Sequence, residues 1–244
     1  MSQGQRPDGD GDDGGYAERP SPLLPGAVVW TKTAGPPGVA PVLPDGCVDL
    51  LWNEGRLFVA GPDTRAYTPG PETAGRFVGV RFAPGTGPAV LGVPADELRD
   101  RRVDLAELWR GPEVRAVAAR VDEAADPMAA LERVASDRAG RGPGPDPLLA
   151  RVVALLDAGL DVAATAAAVG LGTRQLHRRS LPAFGYGPKT LARVLRLRRA
   201  LALARGGLGP AATAAAAGFA DQAHLARDVK EFTGVPLGVL LRGP

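Results

Sequence analysis

Cysteine is almost absent from this 244-residue chain. Cys47 stands alone, so no internal disulfide can form. There are two histidines, His177 and His224, and none precedes residue 177. A histidine-ligated metal site and a histidine-based catalytic triad are therefore excluded from the first 176 residues. No apolar run reaches the roughly 18 residues a membrane-spanning helix requires. The start of the chain carries no apolar stretch of the kind that marks a secretory signal. These absences lead us to expect a cytoplasmic protein with no membrane partner. Negative charge is scarce in one half. Residues 145–244 carry 13 Lys and Arg against 6 Asp and Glu, whereas residues 1–144 carry 16 against 21, although the whole chain is only +2. A basic C-terminal half points to a polyanionic partner.

What is present suggests two modest domains. Residues 1–20 are rich in Gly and Asp and too poor in apolar side chains to offset chain entropy, so they are expected to be a disordered tail. From Leu23 to Phe82 the pattern is β-like. Candidate strands are Ala27–Trp30, Val48–Trp52, Leu57–Ala60 and Phe77–Phe82, separated by Pro and Gly turns. The middle two read as a hairpin around Asn53-Glu54-Gly55-Arg56. Phe77–Phe82 either alternates or is buried on both faces. Beyond Pro84 short helices are predicted at Pro88–Leu91, Ala95–Leu98 and Leu105–Trp109. A longer helical stretch runs from Glu113 to Asp137, broken near Asp126-Pro127. Residues 141–145, Arg-Gly-Pro-Gly-Pro, form the clearest linker. The expected division is a tail at 1–20, an N-terminal regulatory or sensor domain at 21–140, a linker at 141–145 and an all-helical domain at 146–244. The fold class is α+β.

The helical part repeats itself. Ala163–Gly170 returns 48 residues later as Ala211–Gly218, identical at seven of eight positions. Each copy is followed by an apolar residue (Leu171, Phe219), a polar helix and a closing glycine (Gly185, Gly234). Asp146 and Asp161 are placed to cap helices, and so is Thr173 at the head of the first polar helix. A long helix from about Lys189 to Arg205 joins the copies. Each copy is a short apolar helix, a glycine turn and a second helix with basic and hydrogen-bonding side chains. Two such units in tandem are a DNA-binding architecture.

The residues that carry a family likeness are Gly170-Leu171-Gly172-Thr173-Arg174-Gln175-Leu176-His177-Arg178-Arg179 with Gly185-Tyr186-Gly187-Pro188, Arg196-Leu197 with Ala200 and Leu203, and Ala217–Arg227 with Val229-Lys230 and Gly234. On these, residues 146–244 resemble the double helix-turn-helix domain of the AraC/XylS transcription regulators. That resemblance implies a transcription regulator that reads two adjacent major-groove segments of double-stranded DNA. A small-molecule effector and a homodimer are further expected partners; no cofactor is expected, and no metal, because no Cys accompanies His177 and His224 on their two separate helices. Leu176 aligns with Leu225 and Gly185 with Gly234, an offset of 49. The family usually places an aromatic residue where Ser180 and Val229 stand, and Pro182 falls where the first recognition helix should continue. The first unit is therefore expected to be the looser one. Pro44-Asp45-Gly46-Cys47-Val48-Asp49-Leu50 and Ala60-Gly61-Pro62-Asp63-Thr64 look like an uncharacterised module found ahead of such domains in high-GC bacterial regulators.

Candidate DNA-reading residues follow from helix geometry. Arg174, His177 and Arg178 share a face opposite Leu176 and Ser180, with Thr173 at the helix start. In the second unit Leu225, Val229 and Phe232 point inward, leaving Gln222, Ala223, His224 and Arg227 toward DNA. Arg193, Arg196 and Arg199 of the joining helix, and Lys230, are assigned to phosphate contacts or structural pairs. Three other readings remain: catalysis by an Asp45, Asp49 and Asp63 cluster, alkyl-group transfer to Cys47, and a sensor or adaptor with weakened DNA binding.

Overall fold

The structure, a computed structural model, describes residues 15–34, 41–70 and 74–242. Six strands form one antiparallel sheet in the order β1-β2-β5-β3-β4-β6. They are β1 (Ala17–Pro20), β2 (Val28–Ala34), β3 (Val48–Asn53), β4 (Arg56–Ala60), β5 (Gly75–Phe82) and β6 (Arg102–Asp104). The register explains the alternation: Val29, Val80, Leu50, Val59 and Val103 are successive partners across five strands and all are buried. One sheet face is therefore a continuous apolar surface, as period-2 patterning requires. β5 alternates, with Val78, Val80 and Phe82 in the core and Arg81 on the opposite face. There, Trp30 of β2 covers Gly79, where a side chain would collide with the indole. The β3–β4 hairpin turns on Glu54 (φ 45°) and Gly55 (φ 87°), the left-handed pair that a two-residue hairpin demands.

Helices α1 (Gly87–Leu91), α2 (Ala95–Leu98), α3 (Leu105–Leu108), α4 (Gly111–Asp122) and α5 (Pro127–Ala139) follow the strands. Leu131, Val134 and Ala135 of α5 are buried in the sheet's core cluster. Asp126 caps α5 by accepting from Ala129 N at 3.0 Å, which explains the break expected at Asp126-Pro127.

Two expectations need correction. Ala17–Pro20, assigned to the disordered tail, is an edge strand on β2. Its order comes from distant partners that local composition cannot reveal: backbone pairing, and Arg19 Nη2 donating at 2.6 Å to Glu132, which is almost fully buried. Burial opposes ionisation of Glu132, yet the hydrogen bonds from Arg19 and Ser21 prevail and hold its carboxyl below the usual range. Residues 1–14 lie outside the described residues. The three-residue β6 was not expected, because it is too short to show a period.

The remaining helices are α6 (Pro147–Asp157), α7 (Val162–Ala168), α8 (Thr173–Phe184), α9 (Pro188–Arg205), α10 (Pro210–Ala217), α11 (Gln222–Thr233) and α12 (Leu237–Leu240). They surround a second core built on α9, whose Leu191, Val194, Leu195, Leu197 and Ala200 are fully buried. Asp146 and Asp161 cap α6 and α7 through Leu148 N and Ala164 N, as their positions suggested.

Candidate DNA interface

Helices α7 and α8 form one helix-turn-helix unit, and α10 and α11 the other. The second helices, α8 and α11, are 12 residues each and end on Gly185 (φ 81°) and Gly234 (φ 77°). Only glycine takes this left-handed stop without strain. The turn glycines are Gly170 (φ 70°) and Gly218 (φ 83°). Gly170 lies three positions before α8 and Gly218 four before α11, so the extra residue of the second unit sits in its turn.

The inner faces match at the offset of 49: Leu176 and Leu225, then Ser180 and Val229, then Ala183 and Phe232 are all buried. Ser180 does not leave an unpaired hydroxyl. Its Oγ donates to Leu176 O at 2.8 Å, one turn back. Pro182 does not end α8 either. The helix continues to Phe184, and Pro182 is on the exposed side. The carbonyl deprived of a donor is that of Arg178, an exposed residue.

The caps differ from one unit to the other. Thr173 was expected to cap α8, but it is the first helical residue and Gly172 takes the cap position. Gln175 Oε1 turns back to accept from Gly172 N at 2.9 Å. At α11, Asp221 accepts from His224 N at 2.6 Å.

Outward-facing residues fall into two groups. Arg174, Arg178, Gln222, Ala223, Arg227 and Lys230 are exposed and face away from the cores. The histidines are engaged with the protein. His177 packs its ring on Gly187, where a Cβ would lie 2.6 Å from Cε1. His224 sets its ring edge-on to Phe219 with centroids 5.2 Å apart, and its Nδ1 accepts from Ala220 N at 3.4 Å. It therefore packs the turn of the second unit.

The arginines of α9 are also taken by protein partners. Arg193 donates to Asp228 Oδ1 at 3.0 Å and to Glu231 Oε2 at 2.6 Å, and stacks on Phe232. Arg196 donates to Asp228 Oδ2 at 2.9 Å and stacks on Phe219. Arg199 reaches Ala217 O at 3.2 Å and the backbone and side chain of Asp157. Three arginines at helical spacing thus tie α9 to α11, α10 and α6. Burial disfavours the Asp228 charge, but the hydrogen bonds from Arg193 and Arg196 outweigh it and lower its pKa below the ordinary value. The hydrogen bond from Arg193 likewise lowers Glu231. Sequence reasoning missed Asp228. Its signal was an acid on the inner edge of α11, beside the buried Val229, but its partners lie more than 30 residues away.

Each of the three aspartates has a cationic partner, and Asp45 and Asp49 share Arg81. Asp63 pairs bidentately with Arg102, and Asp49 lies between Trp30 Nε1 and Arg81. Asp45 accepts from Cys47 N and faces Arg81. Among the described residues no three His, Cys, Asp or Glu converge as a metal site. Burial, reinforced by Asp45 and Asp49, pushes the Cys47 thiol well up.

Two helices with exposed cationic side chains, each the second of a helix-turn-helix, make the C-terminal part a double helix-turn-helix. Residues 151–243 match the family described as a helix-turn-helix domain, and residues 20–104 match one described as a domain of unknown function (DUF6597). Residues 151–243 are thus a helix-turn-helix domain. No curated protein matches the chain. Among solved structures it is similar to a probable AraC family transcriptional regulator from Rhodopseudomonas palustris CGA009, at 24% identity over 40% of this chain and 96% of that one, with a TM-score of 0.35. It is also similar to ToxT from Vibrio cholerae O395, at 9% identity over 93% and 97% of the two chains, with a TM-score of 0.45. For unsaturated fatty acid bound ToxT from Vibrio cholerae strain SCE256 the values are 11%, 93%, 94% and 0.45. No helix among the described residues is long and apolar enough to cross a membrane.

Proposed function

We propose that α8 and α11 each enter a major-groove segment of one operator, with Thr173, Arg174, Arg178, Gln222, Ala223 and Arg227 at base edges and Lys230 on phosphate. The observation that carries this reading is the pair of equal-length helices, buried on matched inner faces and exposed on their polar outer faces, both packed on the core built around α9. His177 and His224 serve the packing of their units, and Arg193, Arg196 and Arg199 hold the domain together. The same proposal divides the chain into an N-terminal module to residue 140, a linker at 141–145 and the DNA-binding domain from 146. It places the protein in the cytoplasm.

Affinity of the full chain for duplexes selected from a random pool tests the reading. Arg227→Ala should relax selectivity at one base position by about 1–3 kcal/mol. Lys230→Ala should weaken all sequences alike and lower the salt slope by about one. Affinity that is insensitive to salt, or no sequence outcompeting bulk DNA, would sink it.

We also infer that the chain is not an alkyl-transfer enzyme. A buried thiol held in its neutral form is a poor nucleophile. Cys47 should stay unmodified by a mild alkylating agent, with or without DNA, until the chain is unfolded. Rapid, DNA-stimulated labelling would restore the repair reading.

A small-molecule effector is supported by a groove of about 220 Å³ between α4 and α5. Arg138 there stacks on Trp109 and shares Glu113 with Arg141. An anionic ligand would compete with Glu113 for both guanidinium groups.

A further inference from the structure

The N-terminal half touches both recognition helices, and one closely bonded piece of it reaches both. That piece joins residues 61–67, after β4, to residues 95–102, which run from α2 into β6. Asp63 holds Arg102 through two hydrogen bonds of 2.8 and 2.7 Å. Thr64 N donates to Asp100 Oδ1 at 2.6 Å, and Gly61 N donates to Arg101 O at 3.0 Å. Arg102 also stacks on Tyr67 at 4.0 Å. Asp100 adopts φ 57°, an uncommon conformation for a residue with a side chain, maintained here by its neighbours.

One end of this piece meets α8. Arg99 Nη1 donates to Gly185 O at 3.1 Å, and Gly185 is pressed so closely by Pro62 that a Cβ would lie 2.5 Å from its Cγ. The other end meets α11, where Ala66 N donates to Phe232 O at 2.6 Å. Both contacts fall on the C-terminal ends of the recognition helices, leaving the exposed Arg174, Arg178 and Arg227 clear. Without them the two units would be joined through the α6–α12 core alone, centred on a single helix, α9. With them the units are held at two separate places.

We propose that this piece is a brace that sets the separation and angle of the two recognition helices, so that the N-terminal module determines the half-site spacing that the protein accepts. Arg99 and the Ala66 amide are its positioning groups. The inference rests on the reading that both α8 and α11 bind DNA. One inserted base pair moves the second groove segment by about 3.4 Å and rotates it by roughly 35°, more than a rigidly held pair of helices can follow. The module's Ala60-Gly61-Pro62-Asp63-Thr64 segment thereby acquires a physical task.

The test uses the full chain and a duplex selected from a random pool by wild-type protein. That duplex is rebuilt with one base pair inserted between the two protected segments. Wild type should lose on the order of tenfold or more in affinity on the insertion. Arg99→Ala, and Arg99→Ala combined with Ala66→Pro, should bind the original duplex within about threefold of wild type and reduce the insertion penalty to about threefold or less. Arg99 is exposed, so the single variant should fold even if the double does not. A lower melting temperature with an unchanged insertion penalty would mean that the contacts only stabilise, and would overturn the brace. A selected duplex with a single protected segment would overturn the two-helix reading and the brace with it.

Discussion

Asp228→Ala is expected to cost about 3 kcal/mol of stability, measured by urea unfolding of the full chain. Asp228 is almost fully buried and receives one hydrogen bond from Arg193 and one from Arg196. Removing it leaves Arg196 held over Phe219 with no carboxylate partner, while Arg193 keeps Glu231. An uncompensated guanidinium in a mostly buried place costs several times what an exposed ion pair contributes. The change also frees α11 from α9, so DNA affinity should fall although Asp228 faces away from the reading surface. Asp228→Asn retains the shape and removes the charge. Because the folded carboxyl titrates below its ordinary value, its stabilising charge is fully present above the unfolded-state pKa and is lost as pH falls through the folded one. Wild type should therefore exceed Asp228→Asn in stability near neutral pH, and the gap should close below about pH 4. A gap that is constant from neutral pH to pH 3 would refute the electrostatic account.

Gly61→Ala should be of similar size, about 3 kcal/mol, or roughly 6–12 °C in Tm. A Cβ at Gly61 would overlap the backbone carbonyl of Leu98, with the Leu98 side chain 3.0 Å away. Backbone cannot rotate aside as a flexible side chain can. The Gly61 amide is also bonded to Arg101 O, so relief by moving the loop would break that bond and pull on the Asp63–Arg102 pair. Gly142→Ala is the control. Its Cβ would meet only Ala89 O, at 3.6 Å, an ordinary contact, and it should change stability by about 0.5 kcal/mol or less. Equal effects from the two would show that close approach at Gly61 is not what makes that glycine necessary.

Much of the helical half was legible because its signals are local. Asp146, Asp161 and Asp221 cap helices through amides two or three residues ahead, and Gly185 and Gly234 stop them within one residue. The hairpin was legible for the same reason: Glu54-Gly55 sits between two alternating strands. What escaped was nonlocal. β1 depends on Glu132, 113 positions from Arg19. Pro182 reads locally as a helix stop, yet α8 runs through it to Phe184, with Pro182 and Arg178 both on exposed positions. The edge-on contact of His224 with Phe219 likewise depends on the turn of its unit, which a helical wheel does not show.

The sequence by itself determined the α+β class, the repeated unit, the stripe of core leucines in α9 and the exposed basic faces of α8 and α11. Each depends on a period or a cap that a few neighbouring residues express. Tertiary structure alone decided which arginines have carboxylate partners. Arg193, Arg196 and Arg199 carry the same charge as Arg174 and Arg178, and their place on the joining helix left phosphate contacts and structural pairs equally open. Asp228, Glu231 and Asp157 neutralise the first three because packing brings distant carboxylates to within 3.2 Å of them. The same packing places residues 61–67 and 95–102 against both recognition helices. A contact between segments so far apart in the chain exists only once the two cores have formed.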